Sequence, residues 1–161
     1  MGNLIQKILS CIREEKQPTP TVERTEIPKD DLVAVLKEEI PKWDIGVTRI
    51  AMDGTYYAPK NAKEVREALS YYQNEKLEYE RAVYDCENFA MTATGLFSQN
   101  HGVNTVGVVI DWSAENPHAY NIIVHADGSV EWFEPQSDTF IGKPWENDAK
   151  RYDLSFGRII I

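Results

Sequence analysis

The chain has 161 residues, of which 42% are hydrophobic and 11% aromatic, and this size and composition suit one folded domain rather than a disordered chain. The formal net charge of −9 argues against a nucleic-acid partner, because binding to phosphates depends on clustered Lys and Arg. No apolar run approaches the roughly 20 residues that cross a bilayer, so no membrane span is predicted. Cys11 and Cys86 lie in unlike contexts, which favours reduced thiols and a cytoplasmic location.

The N-terminal part of the chain divides at a run of prolines. Apolar residues recur at helical spacing in residues 1–16, which predicts a short amphipathic helix docked on the domain or on a partner, with a membrane-surface anchor as the alternative. Residues 17–28 contain three prolines and predict an extended Pro/Thr linker. The main domain is then expected over residues 29–161.

Three helices are predicted before any clear strand. Residues 29–40 carry apolar residues on one helical face and precede Pro41, which stops the helix. Residues 61–73 form the second helix, with Asn61 as N-cap. The third starts at Cys86 and places Phe89 and Phe97 on one face.

The second half of the chain changes to β-branched and aromatic residues, which predict strands over 103–112, 118–125, 129–135 and 156–161. The Asp127–Gly128 step predicts a hairpin between the middle two strands. Helices first and an antiparallel sheet afterwards indicate an α+β fold.

Three residues with suitable chemistry are expected to meet on this frame. His118 lies nine residues before Asp127, and Glu134 lies six residues after Gly128, so both sit toward the open end of the hairpin on neighbouring strands. Cys86 opens the third helix, where unpaired backbone N–H groups stabilise a thiolate. A thiol, an imidazole base and an orienting carboxylate in this order predict a cysteine nucleophile acting on a carbonyl group.

Three short motifs carry a resemblance to a known family. "DCENFA" (85–90), "HAYN" (118–121) and "EPQ" (134–136) resemble the C-terminal protease domain of the fairy-ring mushroom (Marasmius oreades) agglutinin and related bacterial and phage proteins, described as agglutinin-related or transglutaminase-like. The resemblance implies a papain-like (transglutaminase-like) fold and a calcium-dependent cysteine peptidase or amidase with the catalytic residues Cys86, His118 and Glu134. It places Gln136 beside the site, where it orients the substrate or caps a turn.

The nature of the reaction and the role of the acidic residues are left open at this stage. A peptide or another amide-containing substrate is expected, and hydrolysis and transamidation share one acyl-enzyme. Asp85, Glu87 and Asn88 are oxygen donors that could bind calcium beside the cysteine. Acids at a helix N-terminus are also favourable caps without any metal.

The alternative interpretation is a binding or regulatory module that keeps the fold without turnover, such as a phage accessory or host-interaction protein. The sequence has no trefoil repeat and no room for a second domain. The resemblance therefore does not extend to the lectin half of the mushroom protein, and it does not by itself predict carbohydrate binding. Trp112, Trp132 and Phe133 are expected either in a substrate groove or in ordinary packing, and Asp111 is a further candidate metal ligand.

Overall fold

The computed structural model describes residues 18–41, 47–50, 53–73, 85–113, 115–146 and 151–161, with only the backbone described for 47–50. The predicted N-terminal helix over 1–16 lies outside these residues, and so does Cys11. Within the described residues, no helix has the length and apolar character needed to span a membrane.

Three helices form where the sequence predicts them. Helix α1 spans Lys29–Glu39, α2 spans Ala62–Gln73, and α3 spans Cys86–His101. Asn61 caps α2 by accepting a hydrogen bond from the backbone N–H of Lys63 at 3.0 Å. At the end of α3, Gly102 adopts a φ of 60° and its N–H donates to Ser98, a left-handed termination that glycine adopts without strain.

The central sheet has six strands in the order β2-β8-β4-β5-β6-β7. These strands are Val47–Ile50 (β2), Val106–Asp111 (β4), His118–Val124 (β5), Val130–Glu134 (β6), Thr139–Ile141 (β7) and Gly157–Ile160 (β8). All neighbouring pairs are antiparallel except β2 and β8, which are parallel. The prediction of an α+β fold is confirmed in this general form.

The hairpin between β5 and β6 closes at the predicted turn. Gly128 has a φ of 84°, and the N–H of His125 donates to the carbonyl of Ser129 at 2.9 Å. Asp127 accepts from the backbone N–H of Ser129 at 2.9 Å. This turn sets the register that pairs Asn121 with Phe133.

Helices cover both faces of the sheet. Tyr120 and Ile122 share one core with Leu32 and Leu36 of α1. Ile123 belongs instead to a core with Phe97 of α3. Because side chains alternate between the faces of a strand, β5 is buried from both sides, and its ends are the places where a side chain can reach an opening.

The linker prediction for residues 17–28 is wrong over its second part. Residues 24–28 form strand β1 (Arg24–Pro28), which pairs antiparallel with β3 (Thr55–Pro59), and Val22 is buried. Pro28 is tolerated because it is the last residue of a two-stranded sheet. Strands β2, β3 and β7 were also missed, since these short segments lack a sustained alternating pattern.

Candidate functional site

Cys86 is the first residue of α3, directly after the capping residue. Asp85 and Asn88 form a reciprocal capping box, in which the Asn88 side chain accepts from the backbone N–H of Asp85 at 3.3 Å. The Cys86 thiol is half-buried and donates a hydrogen bond to the exposed Glu87 carboxylate at 3.3 Å. The helix start therefore holds the thiol in one place beside the sheet.

His118 and Glu134 meet across the hairpin as its register predicts. His118 Nε2 lies 2.5 Å from Glu134 Oε2. The Glu134 side chain is 1% exposed and that of His118 is 10% exposed, so water screens this pair little. The sequence reasoning thus placed the two residues at the correct end of the correct strands.

Glu134 accepts hydrogen bonds from three further groups. The Tyr152 hydroxyl donates to Oε2 at 2.8 Å, Arg151 donates to the same oxygen at 3.2 Å, and the backbone N–H of Gln136 donates to Oε1 at 3.0 Å. A buried carboxylate with this many donors is satisfied as an anion. Burial would raise the pKa of Glu134, but the hydrogen bond and charge of His118 outweigh burial and lower it.

The environment of His118 favours its charged form. Burial acts to lower the pKa of His118, whereas hydrogen bonds with Cys86 and Glu134 and their negative charges raise it, and the net result is a pKa of about 9. At neutral pH the imidazole is therefore protonated. His118 is thus bonded to Glu134 and shares the lining of one cleft with Cys86.

The residues that complete this group come from a segment that sequence reasoning did not single out. Residues 151–155 carry Arg151 and Tyr152 to Glu134, and Asp111 holds the segment in place. Asp111 is fully buried and accepts from the backbone N–H groups of Asp153 and Leu154, each at 2.8 Å. Asp111 is thus a structural hydrogen-bond acceptor, which explains its position at the end of β4 without a metal.

Asn121 belongs to the HAYN motif, and in the structure its side chain connects a helix to the sheet. Its side-chain amide donates to the carbonyls of Ala90 at 2.9 Å and Gly107 at 3.0 Å. It also lies 3.1 Å from the Thr94 hydroxyl. Asn121 therefore ties helix α3, which carries Cys86, to strands β4 and β5.

A cleft of about 300 Å³ opens beside these residues. Its lining includes Cys86, Glu87 and Met91 from α3, and Trp112, Pro117 and His118 from the β4–β5 end of the sheet. Trp112 is 40% exposed, and its ring lies 5.5 Å from that of Phe156. The predicted role of Trp112 at a groove agrees with this position, whereas Trp132 and Phe133 are core residues.

The predicted calcium ligands are engaged in another way. The polar side chains of Asp85 and Asn88 pair with backbone groups in the capping box. Among the described residues, no group of three or more His, Cys, Asp or Glu side chains is arranged to hold a metal ion. The capping interpretation accounts for Asp85 and Asn88, and calcium binding by Asp85, Glu87 and Asn88 stays an untested prediction.

The fold and site together define a class: an α+β domain with a ligand-sized cleft at one end of its sheet, lined by a thiol, an imidazole and an exposed aromatic ring. Residues 46–151 match the family model of the ricin-type beta-trefoil lectin C-terminal domain. That match covers more than half of the chain, and the chain belongs to this family. Comparison with curated proteins gave no significant match.

Two solved structures share the fold. The PSL1a-E64 complex has 19% sequence identity and a TM-score of 0.63, and the match covers 83% of this chain and 51% of that one. The Polyporus squamosus lectin bound to the human-type influenza-binding epitope Neu5Acα2-6Galβ1-4GlcNAc has 19% identity and a TM-score of 0.60, with 83% and 49% covered. The chain spans about half the length of these structures.

These comparisons contradict the prediction of an enzyme. The family is a lectin family, and the solved structure named for its ligand epitope is a lectin. The predictions of a hydrolase, a thiol protease and a papain-like or transglutaminase-like enzyme are therefore not supported. The predicted relation to agglutinins is supported. The alternative prediction, a binding module without turnover, agrees with the family. The error has a physical origin: the groups that transfer protons in a catalytic site are the same groups that donate and accept hydrogen bonds to a bound ligand.

Proposed function

We propose that this domain is a glycan-binding module whose ligand occupies the cleft beside Cys86 and His118. The observation that carries the proposal is the exposed Trp112 ring in a largely apolar cleft that also presents the Cys86 thiol, the Glu87 carboxylate and the His118 imidazole. Sugar rings have an apolar C–H face and a rim of hydroxyl groups. An exposed indole covers the first, and imidazole, thiol and carboxylate groups bond the second.

The distribution of exposed apolar side chains supports this location. Among the described residues, four large hydrophobic side chains are exposed: Tyr57, Met91, Trp112 and Phe156. Met91 and Trp112 line the cleft, and Phe156 packs beside Trp112. A concentration of exposed apolar groups next to a few convergent polar groups is typical of a ligand site.

The proposal does not depend on where the related lectin holds its trisaccharide. About half of that lectin lies outside the match, and the likeness supports the fold alone. The ligand is therefore assigned to the cleft of this chain. In it, Cys86 and His118 are proposed to contact the ligand. Glu134, which accepts from the backbone N–H of Gln136 at 3.0 Å, is proposed to orient His118.

A matched pair of aromatic substitutions tests the location of the site. Trp112→Ala is expected to lower the affinity for a bound glycan at least tenfold, about 1.4 kcal/mol, because the stacking surface is lost. Tyr57→Ala removes a side chain of almost the same exposure, 39% against 40%, and is expected to leave the affinity unchanged. A glycan array followed by titration calorimetry of the best binder measures both.

Two results would overturn the proposal. Equal affinity for Trp112→Ala and the unsubstituted protein would place the ligand elsewhere. Consumption of the ligand, or rapid covalent labelling of Cys86 by a thiol-reactive amide or epoxide that His118→Ala suppresses, would show turnover chemistry in place of binding alone.

A further inference from the structure

The floor of the cleft is apolar and lies on one face of the sheet. Ile110 of β4 and Ala119 of β5 are cross-strand partners, and both line the cleft. Ala119 is buried in a small core with Ala90 of α3, and Ile110 and Cys86 pack against that core. The inner end of the cleft therefore borders on the apolar layer between α3 and the sheet.

The charged side chains lie at the edges of the cleft rather than on its floor. His118 lies two residues before Tyr120, whose side chain packs against α1 on the other face of the sheet. Because side chains alternate along a strand, the His118 ring reaches the cleft from the end of β5. Glu87 is exposed on the first turn of α3. Between these edges, Ile110 and Ala119 have no side-chain atom that can form a hydrogen bond.

Met91 contributes a second apolar surface to the cleft. Its side chain is 52% exposed and lines the cleft from α3. A methionine side chain is flexible and polarisable, and it adapts to apolar groups of varied shape. A sugar hydroxyl placed against Met91 and Ile110 would lose its hydrogen bonds with water without replacement, which is unfavourable. This part of the cleft therefore suits an alkyl or aryl group rather than a second sugar ring.

We propose that the ligand of this cleft is a glycoside with an apolar aglycone. The sugar stacks on Trp112, and the alkyl or aryl group lies on Ile110 and Ala119 against Met91. The inference rests on the proposed glycan-binding function and adds the chemical class of the group attached to the sugar. The cleft volume of about 300 Å³ is at the lower end of the range for small-molecule sites, which fits one sugar ring with a short apolar substituent.

A series of glycosides that differ only in the length of the alkyl group tests the inference. Titration calorimetry of the full chain compares the methyl, propyl and pentyl β-glycosides of galactose, glucose and mannose. Each buried methylene is expected to raise the affinity about fourfold. For every sugar that binds, the propyl glycoside should therefore bind about tenfold more tightly than the methyl glycoside. Trp112→Ala is expected to weaken both by the same factor, because the indole contacts the sugar and not the alkyl group.

A substitution in the apolar wall and a matched control locate the alkyl group. Met91→Gln places a polar side chain of similar length at an exposed helical position, and it is expected to lower the propyl-to-methyl affinity ratio by a factor of about three or more. Tyr57→Gln is the control, because Tyr57 is 39% exposed and packs against Arg24, which donates to the carbonyl of His101 at the other end of α3. The control is expected to keep the ratio.

The contrary outcomes separate this inference from the proposed function. Equal binding of the methyl, propyl and pentyl glycosides, or a ratio that survives Met91→Gln, overturns the apolar-aglycone inference and leaves the glycan function standing. A ratio that falls equally in Tyr57→Gln would mean that alkyl groups bind at scattered surface sites, and it overturns the inference as well. Binding of no glycoside, together with an array free of binders, overturns the proposed function itself.

Discussion

The β5–β6 hairpin carries a histidine–glutamate pair at each end, each with an arginine beside it. At the open end, His118 binds Glu134, and Arg151 donates to that carboxylate. At the turn end, His125 Nε2 lies 3.0 Å from Glu131 Oε2, and Arg66 donates to Glu131. The two groups use the same residue types at the two ends of the same hairpin.

The two histidine–glutamate pairs differ in their exposure and in the groups around them. Glu134 is buried and His118 lines the cleft beside a thiol. Glu131 is 16% exposed, and the 3% exposed His125 is covered, with an Nδ1 that has no hydrogen-bond partner among the described residues. A hydrogen-bonded histidine and carboxylate therefore occur in this sheet as a structural feature, with or without a cleft beside them. A candidate site arises only where that element meets an opening and a third group.

The largest difference is expected when each carboxylate is replaced by its amide. Glu134→Gln should lower the free energy of unfolding by about 3–5 kcal/mol, because it leaves the buried His118 without its charged partner. Glu131→Gln should cost about 1 kcal/mol, since Glu131 pairs with an Arg66 side chain that is 56% exposed. Urea denaturation at neutral pH measures both, and equal losses would show that the two pairs are alike.

Asn121 allows the comparison to be extended to the helix that carries Cys86. Asn121→Leu removes the links from β5 to α3 and β4, and should cost about 2–3 kcal/mol at roughly 1 kcal/mol for each hydrogen bond. It should also weaken ligand binding, because the helix side of the cleft is no longer tied to the sheet.

A buried residue at the turn end provides the control for Asn121. The Thr105 hydroxyl donates to the Val124 carbonyl at 2.8 Å, far along β5 from the cleft. Thr105→Val should cost about 1 kcal/mol and leave ligand affinity unchanged. Loss of affinity in Thr105→Val equal to that in Asn121→Leu would mean that general destabilisation, rather than the position of α3, controls binding.

A smaller effect than that of Glu134→Gln or Asn121→Leu is a dependence of stability on pH that arises at the open end. The folded-state pKa of His118 is raised from 6.5 to about 9. A raised pKa stabilises the fold fully below the unfolded value and less as pH rises through the folded value. The free energy of unfolding should therefore fall by about 1–2 kcal/mol between pH 6.5 and 9. This is less than the whole rise in the pKa of His118 would give, because part of that rise comes from Cys86 rather than from Glu134.

Substitution of the histidine at each end of the hairpin shows which residue causes this dependence of stability on pH. Denaturation midpoints of His118→Gln measured across the same pH range should lack the decline, whereas His125→Gln should retain it. An NMR titration of the His118 ring in Glu134→Gln should show a lower pKa than in the unsubstituted protein. Burial lowers the pKa of His118, and without the Glu134 carboxylate only Cys86 opposes this effect. A decline that persists in His118→Gln would assign it to another group.

Prediction from the sequence worked best where local rules dominate. The limits of α3 follow from Asp85 as N-cap and Gly102 as terminator, and the hairpin follows from Asp127–Gly128. Counting from that turn brings His118 and Glu134 together because the side-chain register of paired strands is set by the turn. The linker prediction failed at residues 24–28 because a proline-containing strand is stabilised by its partner, residues 55–59, and by no local signal.

The amino-acid sequence alone determined the helix starts, the hairpin register and the pairing of His118 with Glu134, since each depends on residues close in the chain or on a single turn. Only the tertiary structure decided which further groups join them. Asp111 positions residues 153 and 154, and Arg151 and Tyr152 reach Glu134, through contacts that span from 17 to 43 positions along the chain. Whether a histidine–glutamate pair is covered, like His125 and Glu131, or opens into a cleft depends on how distant segments pack, and no local pattern records that.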